Sequence, residues 1–422
     1  MRVTILTQYY PPEFGAAAVR LGRLAAMLAD AGHEVTVLTG MPNYPTGIIP
    51  EPYRGKLVTT EKAGAVTIRR VWVYASPKKS IAHRLLNQFS FALTAAVGGL
   101  FLPRPDVILV ESHPLFVCLA GGWLKRLKRA PVVLNVSDLW PESAVAVGAL
   151  AVDSLFVKLA ARLERWAYHD AAHVVAMTEG VQSGVLKVLG RRERVSLVQN
   201  AVDLERFRPG QQKTGQAMRT RLGLSDAITV GHIGNMSLAH DFDLLLDAAK
   251  ALPELTFVFA GGGSRKAHIE ARIADERIGN VLLPGVLPHD DMPALWAATD
   301  ICVVAFKEHP LFTGALPSKM FEALATGTPI VAAVEGEAAR LLEETGAGIS
   351  VPFGNRAAMI SALQDLARSP EKRQAMGRAG RAYAERHLSP TRVRDAFLDI
   401  FRAVTSDYAP GPARAHSDLR SR

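Results

Sequence analysis

The chain has 422 residues, of which 49% are hydrophobic and 21% charged, and a formal net charge of +9. This composition is typical of a globular protein, and the length is sufficient for two or three domains. Its two cysteines, Cys118 and Cys302, lie far apart and outside any metal-binding spacing, which excludes a disulfide framework or structural zinc site and predicts a reducing compartment. Residues 1–205 hold 23 Lys+Arg against 16 Asp+Glu, and because no nucleic-acid motif accompanies this charge, we expect anionic lipid or phosphorylated ligands.

The first elements predict a βαβ unit. Residues 3–6 are typical of a buried strand, a loop leads to Gly15, residues 16–31 have helical apolar spacing, and residues 34–38 return as a strand. Such a unit implies a parallel sheet with a right-handed crossover. The loop lacks a Rossmann glycine fingerprint, since Gly15 stands alone, which argues against a nicotinamide dehydrogenase. The small residues there still allow a ligand to approach the backbone closely.

Polar side chains follow several strands of the first half. Tyr44 lies in a proline-rich loop, His113 follows a strand at 106–110, and Asp138 and Glu142 follow a strand at 131–136. Tyr44, His113 and Glu142 are candidates for binding an acceptor, and Asp138 for orienting a hydroxyl or acting as a base. The alternatives are that the proline-rich loop is simply a rigid turn and that Asp138 caps the next turn.

Residues 81–102 form an apolar stretch whose uninterrupted part, 89–102, is too short to span a bilayer. It fits either a helix lying in the membrane interface, with Arg84 and Arg104 near its ends, or a helix facing the core. The sequence alone favours the core-facing helix.

A second α/β series begins with a strand at 228–233, and its loops carry small and basic residues. The strand at 256–260 runs into three glycines and an arginine before a helix, a pattern suited to a diphosphate. Three consecutive glycines are also compatible with a flexible turn. The candidate residues in these loops are Gly234, Asn235, His240, Gly263, Arg265 and, beside a nucleobase, Leu287.

The most informative stretch lies at 303–334, where a strand, a loop, a helix at 317–325 and a second strand follow one another. The helix N-terminus is therefore expected at the carboxyl end of a parallel strand, where α/β sheets bind ligands and free N–H groups suit phosphate. Glu322, one turn further, suits a ribose diol; a capped helix with a favourable carboxylate is the alternative. The candidate donor residues here are Gly314, Ala315, Leu316, Ser318, Lys319 and Glu322.

These elements predict an α/β protein with two doubly wound domains facing across a cleft. Residues 1–205 would bind the acceptor and 206–388 the donor, with a boundary marked by the loss of apolar pattern at 210–216. A helix at 389–405 is expected to pack back towards the first domain. Residues 406–422 are expected to be a disordered tail.

Several stretches resemble retaining glycosyltransferases of family 4, which have the GT-B fold of two Rossmann-like domains. They are QYYPPEFGAAAVRLGRLAAMLADAGHEVTVLTG, NAVD from Asn200, GNMSLAHDFDLLLDAA, GGGSR and PSKMFEALATGTPIV. NQFSFAL and SDLWPES are similar to a bacterial subgroup of L-N-acetylfucosamine transferase-like enzymes.

The resemblance implies a UDP-sugar donor, no obligatory metal or cofactor, and a lipid-linked or saccharide acceptor in surface polysaccharide synthesis. We expect a cytoplasmic protein, peripheral at the inner face of the membrane. Glu322 matches the family's ribose ligand, but Gly314 stands where the family has its other glutamate. The family's lysine after Gly234 is also missing, which leaves Lys319 and Arg265 as the catalytic cations, beside Asp138.

Three other readings stay open. A GDP-sugar transferase, such as a mannosyltransferase, would differ in nucleotide preference. A non-catalytic nucleotide-sugar-binding protein would bind without turnover, and a sugar-nucleotide 2-epimerase would release no lipid product.

Overall fold

The computed structural model describes residues 1–408 except 14, 79 and 149. Within these residues the strands are β1 (Arg2–Leu6), β2 (Glu34–Gly40), β3 (Val58–Ala63), β4 (Val66–Val71), β5 (Val107–Glu111), β6 (Val132–Val136), β7 (His173–Ala176), β8 (Val195–Leu197), β9 (Thr229–Ile233), β10 (Thr256–Ala260), β11 (Val281–Gly285), β12 (Ile301–Ala305), β13 (Ile330–Ala333) and β14 (Gly348–Val351). The helices are α1 (Ala16–Asp30), α2 (Ile81–Leu100), α3 (Val117–Lys128), α4 (Glu142–Ala146), α5 (Leu155–Asp170), α6 (Glu179–Leu189), α7 (Gln212–Leu222), α8 (Phe242–Ala251), α9 (Lys266–Glu276), α10 (Met292–Ala297), α11 (Ser318–Thr326), α12 (Glu337–Thr345), α13 (Arg356–Arg368), α14 (Pro370–His387) and α15 (Pro390–Tyr408).

The first eight strands form one sheet in the order β3-β4-β2-β1-β5-β6-β7-β8. β1 lies parallel between β2 and β5, so the strand order reverses direction there, and the loops after these strands meet at a topological switch point. Only β3 runs antiparallel, against β4 at one edge. The sheet is covered by helices on both faces, which explains the nearly continuous apolar strands. On β5, Val107 and Leu109 pack in the cluster that includes α1 and α15, whereas Ile108 and Val110 pack in the cluster that includes α2, α3 and α5.

The remaining strands form a parallel sheet in the order β11-β10-β9-β12-β13-β14. Its switch point lies between β9 and β12, which pair through Val230 with Ile301 and Gly231 with Cys302. Helices α8, α9 and α13 cover one face, and α7, α10, α11, α12 and α14 the other. The expected α/β architecture of two doubly wound, Rossmann-like units is thereby confirmed.

Two segments differ from the sequence prediction. The sequence predicts a domain boundary at 210–216 from the loss of apolar pattern, but this segment is not irregular, because α7 begins at Gln212 and buries Met218. The tail was expected to start at 406, but α15 continues to Tyr408; the rest of that prediction, 409–422, lies outside the described residues. α15 packs against α1, with Phe397 and Phe401 buried in the core of the first sheet. No helix in the described part of the chain combines the length and apolar character needed to cross a membrane.

Candidate active site

Lys319 lies at the start of α11, directly beyond the carboxyl end of β12. Pro317 precedes the helix in an extended conformation and Ser318 is exposed at its first position. Only 7% of Lys319 is exposed, and its Nζ lies 2.8 Å from His232 Nε2 and 3.2 Å from His240 Nε2. Burial lowers the pKa of this ammonium to about 7. A cation thus sits where the helix N-terminus already favours negative charge.

Glycine loops after β9 and β10 adjoin this lysine. A Cβ on Gly234 would lie 3.4 Å from Lys319 Cε, so the backbone at Gly234 runs beside the lysine side chain. Gly263 has a φ of +151° and approaches so closely that its Cβ would meet the Met236 carbonyl at 2.3 Å. Only glycine fits this conformation and contact. The two loops and the α11 N-terminus form a small basic cradle suited to a phosphate group.

Glu322 lies one turn further along α11. Its carboxylate accepts a hydrogen bond of 2.8 Å from Trp296 Nε1. Burial raises the pKa of Glu322, and the nearby charges of Arg23, Lys319 and Arg206 oppose that rise. Arg23 belongs to α1, so the carboxylate faces the first sheet's helices as well as its own domain. A partly solvated acceptor at this place can receive hydrogen bonds from a diol.

Arg265 is engaged elsewhere. Its Nη2 donates to Asp243 Oδ2 at 2.6 Å, although its backbone N–H donates to Met236 at 3.0 Å and keeps it beside the glycine loops. Asn235 is exposed in the same loop, and Leu287 is half-buried against the core of the second sheet. Arg265 is therefore near the cradle but already paired with a carboxylate, which it shares with Arg272 and His268.

The turn at Pro310–Gly314 contacts the first domain. A Cβ on Gly314 would lie 2.5 Å from Gly180 Cα, and the Gly314 carbonyl accepts from the Thr178 hydroxyl at 2.8 Å. The Glu337 carboxylate accepts from the N–H groups of Glu179 and Gly180 at 2.9 and 3.0 Å. Position 314 thus lacks a side chain because two backbones meet there; Ala315 and Leu316 follow, partly buried.

The candidate residues of the first domain lie at the carboxyl edge of its sheet. Asp138 is open to solvent, yet enough protein surrounds it to raise the pKa of its carboxyl, a rise opposed mainly by His113. Glu142 is exposed at the start of α4. Tyr44 is 50% exposed, its ring 5.5 Å from that of Tyr9 and close to Gly15. These groups therefore lie at the edge of the sheet where α/β folds bind ligands.

The sequence prediction missed several residues of this region. Buried Glu13 accepts from the N–H groups of Asn43 and Tyr44 at 2.8 and 2.9 Å and so fixes the Tyr44 loop. Glu111 is fully buried and binds Arg20 at 2.6 Å. His232 holds Lys319 from the middle of β9. The sequence feature that could have identified two of them is a polar residue among apolar ones, since His232 lies within β9 and Glu111 is the last residue of β5.

The described residues contain no cluster of three or more His, Cys, Asp or Glu side chains arranged to hold a metal ion. The charged groups near the cradle are instead cations and isolated carboxylates. The arrangement can bind an anionic ligand next to a polar, partly apolar opening.

Comparison with known proteins agrees with this geometry. Residues 15–201 match the glycosyl transferase 4-like domain and residues 216–383 the glycosyl transferases group 1 family. The chain is 25% identical to WcaI of Escherichia coli K12, named as a glycosyl transferase of colanic acid biosynthesis, over 95% of this chain and 100% of that protein. It is 26% identical to 2-deoxystreptamine N-acetyl-D-glucosaminyltransferase of Streptomyces fradiae over 93% and 97% of the two chains.

Solved structures share the fold. The Anabaena protein HepE in complex with UDP-glucose superposes with a TM-score of 0.73 at 17% identity, covering 96% of this chain and 100% of HepE. A sucrose-phosphate synthase from Thermosynechococcus elongatus gives the same TM-score at 18% identity, over 96% and 99% of the two chains. The resemblance noted in the sequence is confirmed: this chain belongs to the GT-B glycosyltransferases, with a 4-like first domain and a group 1 second domain.

Proposed function

We propose that the enzyme transfers a sugar, with retention of its anomeric configuration, from a UDP-sugar to a lipid-linked saccharide at an anionic membrane surface in cell-surface polysaccharide synthesis. The observation that carries the proposal is the position of Lys319 at the α11 N-terminus, beside Gly234 and one turn before Glu322. The ammonium and free N–H groups suit a diphosphate, and the carboxylate suits the ribose.

The proposed reaction needs no protein nucleophile. UDP leaves as its developing charge is stabilised by Lys319 and the helix N-terminus. The acceptor hydroxyl attacks the same face of an oxocarbenium-like carbon, and a donor phosphate oxygen takes its proton. Asp138 orients the acceptor hydroxyl from the first domain. Contacts between the domains, such as that of Gly314 with Gly180, exclude water from the reacting groups.

UDP is the nucleotide favoured by the family resemblance, and HepE shows that this fold accommodates UDP-glucose in that protein. A preference for GDP would redirect the proposal to a mannosyl- or fucosyltransferase.

An apolar face on the first domain supports the membrane part of the proposal. α2 buries Phe91 and Ala95 but exposes 68% of Leu93, and the adjacent α3 exposes 52% of Trp123. The apolar face consists of Leu86, Leu93 and Val97 on α2, Leu119, Trp123 and Leu127 on α3, and Leu155 and Leu159 on α5. The buried side of α2 agrees with the core-facing interpretation of the 81–102 stretch, and its exposed side supports the proposal that α2 also lies in a membrane interface.

Basic residues surround this apolar face. The three helices carry Arg84, Lys125, Arg126, Lys128, Lys158, Arg162 and Arg165. Their two carboxylates are engaged: Glu164 accepts from the Tyr168 hydroxyl at 2.6 Å, and Asp170 from Arg126 at 2.8 Å. Apolar surface bordered by net positive charge suits the interface of an anionic bilayer.

The Tyr44 loop, which belongs to the proposed acceptor site, adjoins α2. Asn87 of α2 donates from its amide to Asn43 Oδ1 at 3.1 Å, next to Tyr44. A lipid-linked saccharide held by the bilayer at α2 would therefore reach the Tyr44 loop without leaving the membrane surface.

Calorimetric titration of UDP, GDP and ADP into the wild type and Glu322→Gln tests the donor site. We expect UDP to bind, and the glutamine variant to bind it at least tenfold more weakly, because one charged acceptor of the ribose is lost. Glu254→Gln, an exposed glutamate of the same domain, is the matched control. Equal affinity in all three proteins would show that Glu322 does not bind UDP. Transfer from UDP-sugars to lipid diphosphate acceptors is the separate test of turnover.

A further inference from the structure

Three basic side chains share one buried place below the phosphate cradle. His232 is fully buried, and His240 and Lys319 are 8% and 7% exposed. The lysine Nζ lies within hydrogen-bond distance of both imidazoles, at 2.8 and 3.2 Å. Such a cluster of groups that all become positive on protonation is unfavourable unless most of its members stay neutral.

While Lys319 is an ammonium, its hydrogen bonds require both imidazoles to be neutral. An ammonium has donors and no acceptor, so each Nε2 that accepts from Lys319 must carry a lone pair. For His240 the proton then resides on Nδ1, which lies 2.8 Å from Ser237 Oγ. Both rings are neutral acceptors in this arrangement, and the pKa of each is lowered well below 6.5, mainly by burial. Two of the three N–H bonds of the ammonium are used, and one is left for a ligand.

The surroundings of Lys319 offer little compensation for its charge. No carboxylate of the described residues lies within ion-pair distance of its Nζ. The titratable groups that favour its charged form are Cys302 on β12 and Glu322 on its own helix. The neighbouring rings of Phe306 and Phe242 are apolar. Near neutral pH the lysine therefore holds its proton only in part, and a bound anion would complete its protonation.

We propose that His232 and His240 are positioning residues that hold Lys319 for a diphosphate, and that binding of the diphosphate is coupled to the uptake of one proton by the Lys319 amine. This inference rests on the donor site of the proposed function and adds its proton chemistry. The proton comes from solvent and forms the third N–H bond of the ammonium. No other covalent bond changes in the binding step.

Linkage gives the direction of the pH dependence. The protonated lysine binds the anion, so affinity is greatest below the pKa of about 7 in the free enzyme. Above that pH the affinity falls about tenfold per pH unit, until the higher pKa of the bound lysine is reached. The histidines remain neutral throughout this range.

Titration of UDP at pH 8 in buffers of different ionisation enthalpy measures the proton directly, because the terminal phosphate of UDP is already ionised there. We expect uptake approaching one proton at pH 8 and about half a proton at pH 7. Lys319→Arg, whose guanidinium stays charged, is expected to take up none while still binding UDP. Lys250→Arg, an exposed lysine on α8, should keep the wild-type uptake.

The positioning role has its own readout. His240→Leu removes an acceptor for the Lys319 N–H and is expected to weaken UDP binding about tenfold, whereas His240→Gln, which keeps an acceptor oxygen, is expected to restore part of that loss. UDP binding without proton uptake, or uptake that persists in Lys319→Arg, would overturn the inference and leave the donor site intact. Failure of UDP, GDP and ADP to bind would overturn both.

Discussion

Lys319 and Arg265 lie near the same cradle, but their partners predict unequal contributions to transfer. Arg265 is paired with Asp243 at 2.6 Å, whereas the Nζ of Lys319 lies within hydrogen-bond distance of two imidazoles and, among the described residues, has no carboxylate partner. We predict that Lys319→Ala lowers kcat by about 10²–10³, as expected for a donor to a developing negative charge, and that Arg265→Ala lowers it less than tenfold. Steady-state rates at saturating donor measure both effects.

The matched control is Lys266→Ala, which removes an exposed cation from the first turn of α9. Thermal unfolding of each variant separates lost folding from lost catalysis. Equal losses for the Lys319 and Arg265 variants would show that Arg265 leaves Asp243 for the donor, against the prediction.

Asp138 provides a prediction about pH. The surrounding protein raises the pKa of its carboxyl, with His113 as the main opposing charge. A carboxylate accepts a hydrogen bond from the acceptor hydroxyl more strongly than the protonated acid does, so the transfer rate should fall with decreasing pH through this raised pKa, above the value of about 3.9 of a free aspartate. Asp138→Asn is expected to lower kcat/KM for the acceptor by about 10–100-fold, because a charged acceptor of the hydroxyl hydrogen bond is lost, and to abolish this acidic limb. Asp153→Asn is the control and should keep the acidic limb of the pH–rate profile. If Asp138→Asn keeps this limb as well, another group causes it.

At the scale of elements, the turn that ends at Gly314 and the N-terminus of α6 form a contact between the domains. A methyl group on Gly314 would overlap Gly180 Cα at 2.5 Å, and neither backbone can yield without separating the two elements. We predict that Gly314→Ala destabilises this contact by about 1–3 kcal/mol, as overpacking does in cores. Small-angle scattering should then report a larger radius of gyration.

Gly279→Ala is the control for this experiment, since a Cβ there meets nothing within 4 Å. Gly314→Glu, which restores the residue expected from the family, should open the domains further than alanine does. A compact Gly314→Glu variant with wild-type unfolding would mean that the turn has room for a side chain and that the close approach does not hold the domains.

Most of both sheets could be predicted because their strands are short apolar runs that alternate with helices. β10 has the expected bounds, 256–260, and the other predicted strands differ by a few residues. β3 was missed because it is an exposed antiparallel edge strand whose polar residues, such as Glu61, give no buried pattern. The start of α7 within 210–216 was not predicted, because a helix with only one buried face gives a weak apolar pattern.

The candidate site was predictable where it is local in sequence. Ser318, Lys319 and Glu322 follow one strand and one helix start, so position and chemistry could be read together. The partners of the site residues could not be predicted, because His232 and Gly180 lie far away in sequence and contact the site only in the folded chain. Arg265 was predicted as a free cation for the same reason, since Asp243 lies on another helix.

At the scale of the whole molecule, the apolar face and its basic border predict reversible membrane binding. We expect the enzyme to float with vesicles that contain anionic lipid at low salt and to stay behind with neutral vesicles or at high salt, because screening removes the charge contribution. A double variant, Leu93→Ser and Trp123→Ser, should bind at least about 30-fold more weakly, since each exposed apolar side chain contributes about 1–2 kcal/mol when buried and two contribute about 2–4 kcal/mol.

Leu57→Ser is the control for that double variant, because Leu57 is 73% exposed, directly precedes β3 and lies outside the apolar face. UDP binding should be equal in all three proteins, since the donor cradle lies in the second domain. If the double variant floats as well as the wild type, the apolar face does not contact lipid; if size exclusion shows a dimer that the double variant loses, a second copy covers it instead. Transfer to a vesicle-bound acceptor should fall in proportion to flotation, whereas transfer to a soluble acceptor should not change. That difference follows because the face brings enzyme and lipid-linked substrate together without contributing to the chemical step.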